Sequence, residues 1–539
     1  MKLRKTIIAS LVGAGFALSA GVAFGHGLSH VPSANPKIPG VTSATVLSPE
    51  LEQVIRAQGS MLLENPADAA KYYGYLNDRP NLLPSLGSNV EASKTEPDKN
   101  TYLVLHGLKG ADANYDYGRH FLFQGHEAAG YITRINLDAD TAHRITLLAT
   151  HEADGVTPLP TIDGSTWYPW SERLLFTQEG DGSSSGGVWQ ATPDFPSVAN
   201  NLQGIMGRGG YEGIQADADG NIWIVEDIGG STVAGARLPN SFIYRFIPKN
   251  KHDLMKGGKL QVLQVMSKAN PGHPIKFNSD SALTQDIQDL HTYGNVFDTK
   301  WVTIHDTDGD GTASFNANAL AKANDGTPFK RPENGQFRPL SNFREFFFDE
   351  TGDTSTTSTA NAAHGGYGSI MKLTQHSPSA NSGKLAMFYR ADQAHSSLDN
   401  VAFWDAHHIV FVEDAGDTLH TQRNALDSGY LFDMRKDYSD PANQPIRIIA
   451  QGRDPSATID SGLLGTAGFK NDGDNELTGI HVSDGDPSPH GLLGAKIPYT
   501  FREGWRVFYT QQHGDNVTYE IIRNQSRGGD RDDGNHHPR

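Results

Sequence analysis

The chain has 539 residues, with 62 acidic against 45 basic side chains, a formal net charge of −17 at pH 7 and no cysteine. The negative charge argues against nucleic acid or an anionic membrane as a partner, because no local basic patch offsets it. The lack of cysteine excludes disulfides, thiolate–zinc sites, iron–sulfur clusters and a cysteine nucleophile. An acidic chain can still act on phosphates where bound cations reverse the local charge.

The first residues have the composition of a secretory signal. A basic start precedes the apolar run 6–24, and small residues at Ala23 and Gly25 offer a cleavage site. We therefore expect residues 1–25 to be a signal peptide and the protein to be exported, to the periplasm or out of the cell. A retained membrane anchor is the alternative. No second long apolar run follows, so we expect a soluble monomer without stable membrane association.

The remaining chain divides into an arm, a long strand-rich part and a tail. We predict that residues 26–100 form an N-terminal wrapping arm with one helix over 48–58, N-capped by a serine and rich in Glu and Leu. Short stretches of alternating, β-branched or aromatic residues predict strands throughout 101–524, with a short helical insertion at 317–324. The charged, glycine-rich tail 525–539 is expected to be disordered.

Two segments of the strand-rich part, 212–227 and 399–414, repeat one pattern. Each opens on an acid, passes through a turn, continues as an apolar strand and closes on Glu-Asp, with the glutamate fourteen residues after the first acid. The turns, at 217–221 and 405–408, predict that each segment is a β-hairpin. Because the two ends of a hairpin lie side by side, the opening acid and the closing pair are expected to meet.

The pattern has two looser copies. Segment 165–179 ends on Glu179 at the same spacing, and a further copy begins at Glu476, with its closing strand delayed to 507–512. Repeated hairpins with carboxylates at one end predict a radial β-repeat with an oxygen-rich centre. We therefore predict an all-β fold, a β-propeller of five to seven blades, with six as the expected number.

The acids at the hairpin ends are candidate metal ligands. Oxygen donors without thiolates or clustered histidines favour calcium, followed by magnesium, manganese or iron. Surface acids that only confer solubility would not recur at both ends of apolar hairpins, although Asp227 and Asp414 could simply cap turns. His126 and Glu127 are weaker candidates for the same centre. The alternative for these two residues is that they belong only to a repeated pattern at strand ends. The candidate ligands are Glu179, Glu212, Glu226, Asp227, Glu333, Asp399, Glu413, Asp414 and Glu476.

Several segments share the order and spacing of a known family. They are 166–179, 207–213, 225–227, 241–248, 329–335, 397–400 with 413–414, and 475–479 with 511–514. In this succession the chain resembles the PhoX family of secreted bacterial alkaline phosphatases over about residues 101–520. Segment 207–213 is similar to that family's Gly-Arg-Phe-x-His-Glu-Ala, and 329–335 to its Phe-x-Arg-x-Glu-Gly. No single segment is specific, but their succession is.

The resemblance implies a six-bladed propeller with iron and calcium in its channel that hydrolyses phosphomonoesters. The carboxylates would hold the ions, and the ions would bind a small phosphate ester and activate an oxygen nucleophile. We assign Glu179, Arg208 and Arg331 to the catalytic centre, the arginines as contacts for the anion. The alternative for both arginines is an ordinary surface position near a turn.

The chain departs from the family at one position. The family's iron-ligating cysteine falls at Thr177 here, and the acid that follows it at Gln178, so that Glu179 alone is kept. A hydroxyl is a far weaker iron ligand than a thiolate. Three consequences are open: the chain binds calcium alone, it uses another metal, or it has lost phosphatase activity. The signal region also lacks the twin arginines common in the family.

The sequence thus leaves three functions open. The first is a calcium-dependent phosphatase, with iron as a possible second metal. The second is a calcium-dependent lactonase or esterase on the same scaffold, and the third is a calcium-stabilised propeller that binds a partner without catalysis.

Overall fold

The computed structural model describes residues 27–31, 45–80, 82, 92–354, 358–423, 425–450, 476–502, 504–512 and 515–525. The predicted signal peptide and all of the predicted tail except its first residue lie outside this described part.

The described chain is built mainly of antiparallel strands, with short helices between them. The strands are β1 (Val46–Leu47), β2 (Leu51–Ala57), β3 (Thr101–Val104), β4 (His120–Gly125), β5 (Ile132–Asn136), β6 (Ile145–Ala149), β7 (Ser165–Tyr168), β8 (Arg173–Gln178), β9 (Gly187–Ala191), β10 (Ala199–Asn201), β11 (Tyr211–Ala216), β12 (Ile222–Glu226), β13 (Thr232–Val233), β14 (Ala236–Arg237), β15 (Ile243–Pro248), β16 (Gly258–Val265), β17 (Phe297–Asp306), β18 (Gly335–Phe337), β19 (Glu345–Glu350), β20 (Ser369–Gln375), β21 (Ser382–Arg390), β22 (Leu398–Phe403), β23 (His408–Glu413), β24 (Ser428–Asp433), β25 (Ile446–Ala450), β26 (Leu477–Ser483), β27 (Arg506–Gln511) and β28 (Val517–Arg523).

The helices are few and short, as an all-β fold requires. They are α1 (Gln203–Met206), α2 (Gln285–Leu290), α3 (Thr307–Asp310), α4 (Ala317–Ala323) and α5 (Gly416–Arg423). The predicted helical insertion at 317–324 is confirmed by α4, whose N-cap Asn316 accepts a hydrogen bond from the backbone N–H of Ala319 at 2.8 Å. Among the described residues no helix is both long and apolar enough to cross a membrane.

The strands form sheets that are arranged as a propeller, which confirms the predicted fold class. The sheets have the strand orders β3-β4-β5-β6, β10-β9-β8-β7, β11-β12-β15-β16-β17-β21-β20-β19-β18, β1-β25-β24-β23-β22 and β2-β28-β27-β26, with a separate ribbon β13-β14. The first strands of the successive antiparallel runs contact one another in a closed ring, from β3 to β7, β11, β18, β22, β26 and back to β3. Since β17 joins two runs into one nine-stranded sheet, the count of six blades stays a prediction.

The N-terminal strand β2 closes the last sheet by pairing with β28 near the C-terminus. The predicted helix over 48–58 is therefore wrong, because residues 51–57 form a strand. The division into an arm over 26–100 and a propeller over 101–524 stays a prediction. Glu, Gln and Leu favour a helix locally, but the edge of β28 offers a full row of backbone hydrogen bonds. This pairing outweighs the local preference, and the segment forms a strand. Arg56 fixes the register by donating to Glu520 at 2.7 Å.

The two repeated segments form the hairpins β11–β12 and β22–β23, as predicted. Both turns are held by an aspartate that accepts backbone N–H groups ahead of it. Asp217 accepts from Asn221 N at 3.0 Å, and Asp405 accepts from His408 N at 2.9 Å. An acid in this role mimics a backbone turn, which is why the repeat keeps one there.

Each hairpin carries a β-bulge at the position of its opening acid. The pairing shifts register between Tyr211 and Ile214 in the first hairpin and between Leu398 and Val401 in the second. A bulge bends a strand and redirects a side chain. The opening acids, which lie inside these bulges, thereby leave the regular alternation of the strand.

Candidate metal centre

Four acids from three antiparallel runs, which belong to two sheets, meet at the ends of their strands. One carboxylate oxygen from each of Glu179, Glu212, Asp227 and Glu333 lies within 4.8 Å of the other three. Glu179 follows β8, Glu212 lies in the bulge of β11, Asp227 follows β12, and Glu333 precedes β18. We call these four residues the central group.

Two further sets of acids are continuous with the central group. Asp98, Asp163 and Glu212 form one, and Glu127, Asp163 and Glu179 form the other, each with ligand oxygens within the same 4.8 Å. Glu212 and Glu179 thus belong to two sets each. A shared carboxylate can bridge two cations, so the arrangement suits more than one ion.

An acid lies at or just before the first strand of every antiparallel run. The six are Asp98, Asp163, Glu212, Glu333, Asp399 and Glu476, ahead of or within β3, β7, β11, β18, β22 and β26. Because these strands form the ring around the axis, the acids face a common centre from all directions. Four of the six were predicted from the sequence. Asp98 and Asp163 were not, because they stand a few residues before their strands, outside the apolar pattern of the repeat.

The remaining acids of the centre are Asp349, Asp399, Asp414 and Glu476. Burial, and after it the charges of Asp98 and Asp414, raise the pKa of Asp399 to about 7. Burial raises the pKa of Glu476 well above its usual range, and Asp414 contributes next. Asp349, at the end of β19, was not predicted; it follows the same rule, with burial first and Asp399 among the causes of its raised pKa.

The same electrostatic conflict runs through the central group. Burial and neighbouring carboxylates raise the pKa values of Glu179, Glu212 and Glu333 well above the ordinary glutamate value. Carboxylates this close cannot all ionise unless positive charge compensates them. A bound cation would supply that charge and return the acids to their ionised form.

The donor set fits hard cations. It consists of carboxylate oxygens, which calcium prefers, and the chain has no cysteine to offer a thiolate. Several of these oxygens are also buried without any hydrogen-bond partner: Asp163 Oδ1, Asp349 Oδ2 and Asp399 Oδ2. Buried polar atoms are normally paired, so oxygens left over at the centre of a carboxylate cluster fit ligands for a cation.

Arg331 is tied to the central group. Its guanidinium donates to both oxygens of Asp227, at 3.0 and 2.9 Å from Nε, and its Nη2 lies 3.4 Å from Glu333 Oε1. Nη1 donates to Thr354 at 3.2 Å. Such a fork fixes the Asp227 carboxylate in orientation as well as charge. The side chain is 20% exposed, so part of the cation faces outward.

The other predicted arginine, Arg208, has a different environment. It precedes β11, beside the loop that follows Glu179, where its carbonyl would meet a side chain placed at Gly182. Its Nε is buried without a hydrogen bond, and no described residue receives a hydrogen bond or ion pair from its side chain. This guanidinium is therefore open to an added anion.

Two predicted ligands, Glu226 and Glu413, are employed elsewhere and fall outside all three sets. Glu226 Oε2 accepts hydrogen bonds from Phe242 N, Tyr244 and Asn318, each at 3.0 Å. Glu413 accepts from Ser428 N at 2.8 Å and pairs with Arg423 at 2.9 Å. In both hairpins the closing glutamate holds the neighbouring strand of its own sheet, and we call these two glutamates structural clamps. Glu226 Oε1 remains buried without a hydrogen-bond partner.

The neighbouring candidates His126 and Glu127 also have different environments. His126 is fully buried, with its two ring nitrogens hydrogen-bonded to Thr95 and Thr133, both at 2.9 Å. It has no nitrogen left for a cation. Glu127 is one of the grouped carboxylates.

Thr177, at the position of the family cysteine, uses its hydroxyl within the fold. Its Oγ1 donates to the backbone carbonyl of Glu212 at 2.6 Å, and the residue is fully buried. The hydroxyl proton is thus committed to a neutral backbone acceptor. The position supports the bulge that carries Glu212 and does not add a soft ligand to the centre.

Comparisons with known sequences and structures show which proteins this chain is similar to. The model of the family "Alkaline phosphatase PhoX" matches residues 237–459. The structure of Pseudomonas fluorescens PhoX in complex with vanadate, a transition state analogue, is similar with a TM-score of 0.54 and 11% identity, over 92% of this chain and 98% of that one. A streptogramin B lyase structure has a TM-score of 0.33 and 11% identity over 80% and 94% of the two chains. No curated protein sequence matches this chain.

The family match confirms the resemblance predicted from the sequence, and with it the expectation of a phosphoric ester hydrolase. The structural likeness, at 11% identity, supports the propeller fold.

Proposed function

We propose that this PhoX-like chain is an exported phosphatase that hydrolyses small phosphate esters with calcium held by the axial carboxylates. The observation that carries the proposal is the meeting of Glu179, Glu212, Asp227 and Glu333 within 4.8 Å, beside two further sets that share their members. An enzyme for phosphate esters needs positive charge where the transferring phosphoryl group gathers negative charge. In a chain of net charge −17, bound cations are the direct source of it.

Bound cations would polarise the phosphoryl oxygens and lower the pKa of a water that acts as nucleophile. The residues of the chain position that chemistry. Glu212 and Glu179, each in two sets, keep the binding positions adjacent. Arg331 holds Asp227 in a fixed orientation, and Asn334 donates to Glu212 Oε1 at 3.2 Å. These outer contacts orient ligands and keep water from competing for them.

Calcium, rather than iron, is favoured by the environment of Thr177. Its hydroxyl is hydrogen-bonded to the Glu212 carbonyl, so the position that the family resemblance assigns to an iron thiolate supplies no soft donor. An all-oxygen set selects hard cations by ligand type.

The substrate contact is proposed to come from Arg208. Its Nε is buried and lacks a partner, whereas the Arg331 guanidinium is occupied by Asp227. An unpaired guanidinium matches two phosphate oxygens in a bidentate geometry. Arg331 would then act mainly by holding Asp227, with its outward face as a second contact.

Export is proposed from the basic and apolar composition of residues 1–25. The test is N-terminal sequencing of protein recovered from periplasmic and culture fractions. A mature N-terminus at His26 in either fraction agrees with the proposal, and an intact N-terminus in the membrane fraction identifies an anchor instead.

The activity is tested on the mature protein with p-nitrophenyl phosphate, before and after removal of metal with EDTA and after addition of calcium or iron. We expect activity to vanish with EDTA and to return with calcium alone. Two variants accompany the wild type: Glu212→Gln in the centre and Asp298→Asn, an exposed acid on β17 paired with Lys384. Asp298→Asn should keep full activity, and Glu212→Gln should not be restored by calcium.

Other results point to the alternative functions. Recovery only with iron would overturn the choice of calcium. Calcium-dependent hydrolysis of lactones or carboxyl esters, without phosphate release, would assign the chain to the second class. No turnover, together with a large loss of thermal stability in EDTA, would make the ions structural and reject the phosphatase.

A further inference from the structure

Lys99 is a buried lysine at the centre of the carboxylate ring. It directly precedes β3 and is 3% exposed. Its Nζ donates to Asn400 Oδ1 at 3.1 Å, which is its one hydrogen bond to a described residue. An ammonium group has three donors, so two remain for other acceptors.

The charges that act on Lys99 come from acids on several sides of the ring. Its charge is opposed by Asp98, Asp399, Asp349 and Glu212, which belong to four different antiparallel runs. Two of them, Asp349 and Asp399, have a buried Oδ2 that lacks any hydrogen-bond partner. A buried ammonium is stable only among anions, and buried carboxylates only beside a cation.

A polar relay fixes the lysine in this position. Asn400 lies in the bulge of β22 beside Asp399. Its Oδ1 accepts from Lys99 and from Gly479 N at 2.9 Å, while its Nδ2 donates to Asp399 Oδ1 at 2.6 Å. The relay joins the first, fifth and last antiparallel runs, so Lys99 cannot withdraw without breaking it.

We propose that Lys99 is a resident cation that takes the place of a metal ion in one part of the ring. Its positive charge compensates the negative charges of Asp349 and Asp399. The central group around Glu212 is left to bind added cations. Lys99 thereby limits how many divalent ions the centre accepts. The inference rests on the proposed function only in taking calcium as the ion that the ring would recruit.

The test is the calcium content of Lys99→Met, which removes the charge and keeps most of the side-chain volume. Full-length mature wild type, Lys99→Met, Lys99→Arg and the surface control Lys300→Met are dialysed against calcium and analysed for bound metal. We expect Lys99→Met to hold about one more calcium per chain than wild type, since the uncompensated carboxylates recruit a cation. Lys99→Arg and Lys300→Met should match wild type.

The second readout is the dependence of the melting temperature on calcium. A ligand that binds only the folded state raises stability with the logarithm of its concentration, in proportion to the number of ions bound. The melting temperature of Lys99→Met should therefore rise more steeply with calcium than that of wild type. If Lys99→Met folds only in calcium while wild type folds without it, the inference is equally supported.

The double variant Lys99→Met/Asp349→Asn removes one charge of each sign. It should fold in low calcium and return to the wild-type calcium content. The inference is overturned if Lys99→Met has the calcium content and calcium dependence of wild type, or if calcium does not rescue it when it fails to fold. Should wild type bind no calcium while Lys99→Met binds it, the inference stands and the proposed calcium-dependent function fails.

Discussion

The hairpins β11–β12 and β22–β23 have the same sequence pattern, yet their six end acids divide into two kinds of role. The closing aspartates, Asp227 and Asp414, lie at the centre with the opening acids. In both, the opening acid lies in a β-bulge and reaches the axis, and the closing glutamate turns away and clamps its own sheet. The clamps are built differently: Glu226 is held by neutral donors and Glu413 by the Arg423 guanidinium. Position in the hairpin, and not the type of acid, decides whether a carboxylate can serve as a ligand.

The largest expected effect comes from an opening acid. Glu212→Gln removes a negative oxygen that two carboxylate sets share, and we expect a roughly 10³-fold loss of phosphate ester hydrolysis, in the range found when one stabilising group of a charged transition state is lost. Because burial and Glu333 raise the pKa of Glu212, the neutral residue should not destabilise the calcium-free fold. Steady-state kinetics and urea unfolding on the same sample measure both. An active Glu212→Gln would contradict the division of roles.

The matching change at a closing acid should act on stability. Glu413 and Arg423 are a buried ion pair, with side chains 0% and 7% exposed. Glu413→Gln removes one of the two carboxylates that compensate the Arg423 guanidinium, the other being Asp427 at 3.2 Å. We expect a loss of about 1.5–3 kcal/mol in the free energy of unfolding, as for a hydrogen bond to a charged group, with unchanged activity per folded molecule. Glu413→Gln/Asp427→Asn, which removes both carboxylates beside Arg423, should lose more stability than Glu413→Gln alone. A variant that keeps its stability but loses activity would place Glu413 in the centre after all.

The orientation of Asp227 within the central group can be weakened at Arg331. Arg331→Lys keeps the charge but loses the fork that holds both oxygens of Asp227. A supporting contact of this kind is worth about 10–100-fold in metal affinity or activity, so we expect that loss in calcium affinity, measured by titration calorimetry. Thr354→Val, which removes only the 3.2 Å bond to Nη1, is the control and should change little. Equal effects from both variants would reject the role of the fork.

A third hairpin, β26–β27, adds a test of how the stability of the fold depends on pH. Its bulge ends at His481, whose Nε2 accepts from Tyr102 N at 3.3 Å, and burial lowers the pKa of this histidine to about 3. Between pH 6.5 and 3 the unfolded chain binds a proton here that the folded chain does not. Stability therefore falls as pH falls, by about 1.4 kcal/mol per pH unit for this group.

The histidine contribution is isolated with His481→Gln, which has no ionisable proton. Urea unfolding at pH 6.5 and 5.5 should show a smaller acid-induced loss for the variant than for wild type, by about the amount of one proton. Equal losses would mean that His481 is already charged in the folded protein.

The smallest effect is expected at Thr177. Thr177→Val removes the 2.6 Å hydrogen bond to the Glu212 carbonyl, and we expect a loss of about 1 kcal/mol in stability, as for an ordinary buried hydrogen bond. Thr177→Ser should retain it. If Thr177→Val instead lost bound metal without a change in stability, the hydroxyl would be a ligand and its structural role would be wrong.

The sequence was informative where local pattern and tertiary structure agree. The propeller, the repeated hairpins, helix α4 and the grouping of Glu179, Glu212, Asp227 and Glu333 follow from periodicity and from acids at strand ends. The predicted helix over 48–58 failed because its residues favour a helix alone and a strand only beside β28, a partner more than 450 residues away in the register that pairs Leu51 with Arg523.

The differences between the predicted ligands and the acids that the structure groups have a similar cause. Spacing identified the closing glutamates as ligands, but the direction of a side chain at a strand end depends on bulges and on donors from the next strand, such as Tyr244 for Glu226. Asp163 was not predicted because it precedes the apolar strand β7 instead of lying within it. A search for an acid within three residues before each first strand would have found it, and Asp98 as well. Lys99 gave no local signal, since its partners come from distant runs.

The most direct measurement is calcium titration calorimetry on EDTA-stripped wild type, Glu212→Gln and Glu226→Gln. The two variants neutralise an opening and a closing acid of one hairpin. Calcium binding that persists in Glu226→Gln but is lost or weakened at least tenfold in Glu212→Gln is the expected result. Equal binding by all three proteins, or loss in Glu226→Gln alone, would contradict a centre built from the opening acids.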